Sequence, residues 1–226
     1  MTDKTKSITM NKSASNDIPE SDLKVNHRTP IRDDAFVLPN SKKIEAISGY
    51  FAKIMEVLGL DLNDDSLSGS PDRVAKMYVN EIFSGLNPNN KPVITSFENT
   101  HNYNEMLIER DISFYSFCEH HFVPIFGKAH VAYIPNDRII GLSKINRIVD
   151  YYSRRPQVQE RLTIQISRAL SEATHTDDVA VYLDAKHMCV ACRGIKDRSS
   201  MTVTSKLNGR FQDEQYQAQF YSSFSK

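Results

Sequence analysis

The strongest constraint on the fold is the way hydrophobic period changes between about residues 93 and 207. Residues 93–134 are rich in Val, Ile, Phe and Tyr and read as strands broken at Cys118 to His121, and Pro135 to Asp137 reads as a turn. Leu142, Ile145, Ile148, Val149 and Tyr152 then recur at helical spacing. Pro156 interrupts, and Val158, Leu162, Ile166, Ala169 and Leu170 mark a second helix. Two more strands follow, Val179 to Met188 and Ser200 to Leu207. Strand, strand, helix, helix, strand, strand predicts an α+β fold, a four-stranded antiparallel sheet with two helices on one face.

Upstream lies a helical extension. Ile44, Ile47, Phe51, Ile54, Met55 and Leu58 form one stripe that Gly59 closes. Ser70 and Pro71 read as an N-cap and first helical position, ahead of the stripe Val74, Met77, Tyr78, Ile82 and the stop at Gly85. Residues 87–92 read as a loop. The division is a disordered polar tail over 1–34, a helical region over 35–90 and the sheet-bearing domain over 91–226.

Of 226 residues 28 are basic and 28 acidic, so the chain lacks the cationic surplus of a general nucleic-acid binder. No apolar run suits a bilayer span and no signal core opens the chain, so a cytoplasmic location is expected. In that compartment cysteines serve more often as ligands or catalysts than in disulfides.

All three cysteines, Cys118, Cys189 and Cys192, fall beside histidines. Cys118 and His121 are three apart, and His187 and Cys189 close a predicted strand, where side chains two apart share a face. Thiolate and imidazole together suit tetrahedral zinc. In one arrangement Cys118, His121 and Cys189 hold the metal and water takes the fourth position, the pattern of a catalytic zinc that lowers the water's pKa to roughly 7. In another, Cys192 closes a structural four-residue site, and spacing alone fits it equally well. The bland alternative is three buried cysteines with no metal. His120 and His187 tilt the balance toward chemistry, because a structural zinc has no use for two further histidines suited to proton transfer.

The motif Cys118-Glu-His-His-Phe-Val-Pro, followed by Gly-Lys-Ala-His-Val-Ala-Tyr-Ile-Pro, closely resembles the GTP cyclohydrolase I family. So do Ile140-Gly-Leu-Ser-Lys-Ile-Asn-Arg-Ile-Val, Arg155-Pro-Gln-Val-Gln-Glu-Arg-Leu-Thr and His187-Met-Cys-Val-Ala-Cys-Arg-Gly-Ile, and Ser70-Pro-Asp-Arg-Val-Ala-Lys-Met-Tyr also fits. The resemblance implies a tunnelling fold, with residues 91–226 as the catalytic domain. It implies Cys118, His121 and Cys189 as zinc ligands, with Cys192 outside the set, and His120 and His187 as acid/base groups. Ser143 matches a position near the ribose, Lys144, Arg147, Arg193 and Arg73 match triphosphate contacts, and Glu160, with Gln159 beside it, matches guanine recognition. The implied reaction is zinc-dependent opening of the guanine imidazole ring of GTP, releasing formate and giving 7,8-dihydroneopterin triphosphate on the route to tetrahydrofolate. The implied assembly is a homodecamer, a dimer of pentamers with active sites between subunits. Competing readings are a related tunnelling-fold enzyme acting on another pterin or deazapurine, a catalytically silent oligomeric zinc protein, and a guanine-nucleotide binding module. The last lacks a Gly-x-x-x-x-Gly-Lys loop.

Overall fold

A computed structural model describes residues 28–224. Most of the expected tail, residues 1–27, lies outside the described residues, and residues 28–34 run as turns and extended chain. Helix α1 spans Asn40–Val57 and ends where Gly59 takes φ +83. Helix α2 spans Ser70–Met77 and packs on α1. Its N-cap is Gly69 rather than Ser70, with no side-chain cap, so the expected start is displaced by one residue. The chain continues as a widened helical turn, Tyr78–Ile82, to Gly85. Gly85 does more than stop a helix. Its N–H donates to Arg154 O at 3.0 Å, and a Cβ there would stand 2.1 Å from Tyr151 O. Only glycine lets these backbones approach so closely.

The sheet follows. Short β1 (Ser96–Glu98) pairs outside it with β4 (Arg138–Ile140). Strands β2 (Leu107–Cys118), β3 (Pro124–Tyr133), β6 (Val179–His187) and β7 (Thr202–Leu207) pair antiparallel in that order. A two-residue strand β5 (Pro156–Gln157) adds in parallel beside Phe117 and Cys118. Between β4 and β5 runs helix α3 (Leu142–Ser153), and between β5 and β6 runs α4 (Gln159–Thr174). The architecture is therefore α+β, the arrangement expected of a tunnelling-fold subunit, with the small parallel edge as an addition.

Strand alternation decides which side chains meet these helices. Ile112, Phe114, Ile125, Ala129, Val131, Tyr133, Val181, Leu183 and Ala185 form the inner face, packed with Ile145, Ile148, Leu162, Ile166 and Leu170 from α3 and α4. Cys118 and His187 fall on the same inward phase at one end of the sheet.

The opposite face is covered at its other end by the aromatic C-terminus. A short turn, Gly209–Gln212, and helix α6 (Glu214–Ser222), numbered after the helical turn α5 (Met188–Ala191), seat Phe211 and Phe220 against Met106, Ala132, Ile134 and Ala180. Both phenylalanines are fully buried, each worth about 1.5–3 kcal/mol of hydrophobic stabilisation.

Candidate active site and metal centre

The hairpin end of β2–β3 is a tight turn. Cys118 N–H donates to Val123 O at 2.9 Å, and Phe122 N–H donates back to Cys118 O at 2.8 Å. Closing it places Phe122 at φ +54, which is costly for a bulky residue. Phe122 is held there by an edge-on contact with Phe83, ring centres 5.4 Å apart. The turn throws His120 and His121 to the same side as Cys118, each with Nδ1 3.7 Å from its sulfur.

Cys189 arrives differently from the expectation. β6 ends at His187, and Cys189 sits on the helical turn α5, so the two do not share a strand face. The turn still brings the thiol in: ligand atoms of Cys118, His121 and Cys189 lie within 4.8 Å of one another. Cys192 is exposed, stands outside that group and lines a separate cavity with Phe126, Lys186 and Arg198, so the closed four-residue arrangement is not formed. The donor set fits a soft dication. Burial and the neighbouring Cys118 sulfur push the Cys189 thiol up, while Arg193 draws it slightly back. A dication among the three donors would offset that penalty on Cys189.

His187 is oriented by a buried amide. Its Nε2 lies 2.7 Å from Gln159 Oε1. Gln159 is 2% exposed, and its NH2 donates to Thr202 O at 2.9 Å, to Thr204 Oγ1 at 3.1 Å and to Leu183 O at 3.2 Å. With the amide nitrogen committed to acceptors, its oxygen must accept, so His187 carries hydrogen on Nε2 and leaves Nδ1 as the basic nitrogen. Burial lowers the His187 pKa, and the Glu160 carboxylate partly opposes this.

Glu119 and Arg161, quoted in the motifs without a role, form the strongest ion pair of the site. Arg161 Nη1 and Nη2 donate to the two Glu119 oxygens at 2.6 and 3.0 Å. Glu119 N–H also donates to Gln157 O at 3.1 Å. The loop bearing His120 and His121 is thereby fastened to the start of α4, which carries Gln159 and Glu160. The available signal was an acid and a base, each inside a metal-side motif, with no solvent-facing pattern to occupy them.

Cys118, His120, His121, Gln159, Glu160, His187, Cys189 and Arg193 thus gather at one end of the sheet. Gln159 is spent on His187 and the sheet rather than turned to open space. Ser143 and Lys144 open α3 at the other end, with Arg147 one turn on. Asn146 Nδ2 donates to Glu109 Oε1 at 3.2 Å, and Ile140 N–H donates to Tyr133 Oη at 3.2 Å. From Glu109 to Cys118, even with the irregularity between Glu109 and Ile112, the strand advances by about eight regular steps, on the order of 25 Å, more than any side chain spans. Arg73 is exposed on α2, and its Nη2 donates to Ser66 O at 3.4 Å.

Known proteins match this chain's sequence over most of its length. The family described as GTP cyclohydrolase I matches residues 47–225. A GTP cyclohydrolase 1 of Flavobacterium johnsoniae is 53% identical over 204 residues, covering 90% of this chain and 92% of that protein. The protein of the same name from an Enterobacter species is 54% identical over 187 residues, covering 83% and 84%. The crystal structure of the archaeosine synthase QueF-Like in the apo form covers 45% of this chain and 89% of that one, at 17% identity and a TM-score of 0.36, too loose a likeness to bear on function. Matched by that family over residues 47–225 and 53% identical to one of its members over 90% of its own length, this chain belongs to the GTP cyclohydrolase I family.

Proposed function

We infer that the chain acts as a GTP cyclohydrolase I, opening the guanine imidazole ring of GTP by hydrolysis, releasing formate and yielding 7,8-dihydroneopterin triphosphate. The observation that carries this reading is the meeting of Cys118, His121 and Cys189 within 4.8 Å at the sheet end that also bears His187. Zinc suits two sulfurs and an imidazole, and when bound it supplies the Lewis acidity that makes water nucleophilic near neutral pH.

His187 takes and returns a proton at Nδ1, since Nε2–H is committed to Gln159. Its lowered pKa keeps it neutral at pH 7, ready to take a proton from the water that adds to C8 and then donate it to N7 as the five-membered ring opens. Glu160 is exposed close to His187, and its carboxylate can accept from N1–H and the exocyclic amine of guanine together. His120, more exposed, serves with Ser143 of another copy of the chain in opening the ribose after formate has left. Arg193 neutralises phosphate charge beside the centre, and Lys144, Arg147 and Arg73 do so from another copy of the chain.

Two features support that shared site and the expected homodecamer. One is the length of sheet separating Lys144 and Arg147 from Cys118. The other is an apolar stripe on α1, where Tyr50, Ile54, Val57 and Leu58 are 68%, 51%, 88% and 72% exposed at positions of one helical face. Light scattering behind size exclusion should find an assembly, and a fully active monomer would refute the shared site. No helix among the described residues is long and apolar enough to cross a membrane.

The reaction is tested by incubating the purified protein with GTP while following formate and pterin fluorescence. Both should rise together and stop with a zinc chelator. Formate without pterin, or turnover indifferent to chelation, would overturn the assignment.

A further inference from the structure

Arg155 is only 8% exposed, yet among the described residues it pairs with no carboxylate. Its guanidinium carbon sits 4.5 Å from the centre of the Tyr151 ring and 4.6 Å from that of Tyr152. Nη1 reaches Thr29 Oγ1 at a long 3.4 Å, a further hydrogen bond involves Tyr151, and buried Nε has no acceptor among the described residues. Burial lowers the guanidinium pKa with only tyrosines opposing it. A buried cation met only by hydroxyls and ring faces carries a desolvation cost of several kcal/mol that an anion would relieve.

The surroundings supply room for one. Arg155 borders a cavity of about 370 Å³ that Arg28 and Arg168 also line, with Tyr152 and Ala169 as apolar wall. Glu172 is the acid on that wall among the described residues, and it lies 3.8 Å from Lys91. Lys91 already meets Glu172, so Arg155 and Arg168 alone bring about two positive charges to the cavity, more than one carboxylate needs and suited to a dianion that accepts several N–H donors. The cavity is separate from the Cys–His–Cys group, which its lining does not include.

We propose that the Arg155 cavity is a binding site for a phosphate group, carried by inorganic phosphate or by a small phosphomonoester. Arg155 supplies the fixed, desolvated fork and Arg168 an adjustable rim charge. The site also has a line to the active centre. Two residues beyond Arg155, Gln157 pairs with Cys118 and accepts from Glu119 N–H, so an occupant here adjoins the strand that carries the metal-side loop.

The test is calorimetric titration of the full chain with inorganic phosphate and, separately, with glycerol 3-phosphate, chloride holding ionic strength constant. Arg168→Gln, at an exposed position, should weaken binding about tenfold. Arg155→Lys, which keeps charge and loses the fork, should weaken it further. Arg147→Ala, aimed at the proposed triphosphate contacts, should leave it unchanged. Tungstate soaked into crystals should give an anomalous peak beside Arg155 Nε. Tighter binding of the ester identifies a phosphomonoester as occupant, and tighter binding of the free ion identifies phosphate. Should Arg155→Lys fail to fold, Arg168→Gln decides. Binding abolished by Arg147→Ala but untouched by Arg168→Gln, no heat at millimolar phosphate, or no peak at Arg155 would each overturn the proposal without touching the cyclohydrolase reading.

Discussion

Replacing Arg161 by Met removes the fork that holds Glu119 while keeping much of the aliphatic stem. The two side chains are 14% and 24% exposed, so the pair stands between an exposed bridge, worth about 0–1 kcal/mol, and a fully buried one, whose breakage costs about 3–5 kcal/mol. Its two bonds, at 2.6 and 3.0 Å, place the expected loss near 2 kcal/mol, roughly thirtyfold in the folding equilibrium. The sign with pH is fixed. Arg161 holds the Glu119 carboxyl below its ordinary value of 4.5, so the contribution is fully present above that value and is lost as pH falls through the lower folded one. Urea unfolding at fixed protomer concentration, on the wild type, Arg161→Met, Glu119→Gln and the double variant, measures the coupling directly. At pH 7 the cycle should return roughly 2 kcal/mol, shrinking toward pH 4. A coupling below about 0.5 kcal/mol, or one indifferent to pH, would show that this pair does not anchor the loop.

Cys189→Ser should lower bound zinc well below one per chain by elemental analysis, whereas Cys192→Ser, exposed and outside the ligand group, should leave it unchanged. Glu160→Ala should cut discrimination between GTP and ATP by about a hundredfold or more in kcat/KM, and a variant that kept its selectivity would remove Glu160 from guanine recognition. Phe220→Ala, at a fully buried position in the second core, should cost about 3–5 kcal/mol in the same urea assay. Burial lowers the His130 pKa against the pull of Asp111 and Asp184, with Arg110 and Lys128 adding to the lowering. The unfolded chain then takes up that proton first, so stability should fall as pH drops below about 6.5, and His130→Gln should flatten the slope.

The sheet and its two helices were legible because their periods are local. Ile145, Ile148 and Val149 repeat at helical spacing whatever they pack against, and Val179 to Ala185 alternate into one continuous inner face. What escaped reading depends on partners distant in sequence. Cys189 was placed on a strand, and no local pattern marks a strand turning into helix one residue past His187. Gln159 is read only through the resemblance, beside Glu160 in guanine recognition, and the meeting with Thr202 and Leu183 is what makes it the clamp on His187. The aromatic run Phe211 to Phe224 has a composition that promises burial but no period that says against what. Its place on the outer face follows from Ala132 and Ala180 leaving room above the sheet.

With the site shared between copies as proposed, the length of strand from Glu109 to Cys118 also shapes what inherited damage would do. Subunits disabled at the metal end and subunits disabled at the phosphate end should each be inert in pure form. Mixed in equal amounts and allowed to reassemble, they would pair one sound half with another at about a quarter of their sites, and lost turnover would return without any gene being repaired. A chain that kept both halves of its chemistry within reach of one another could never be rescued in this way.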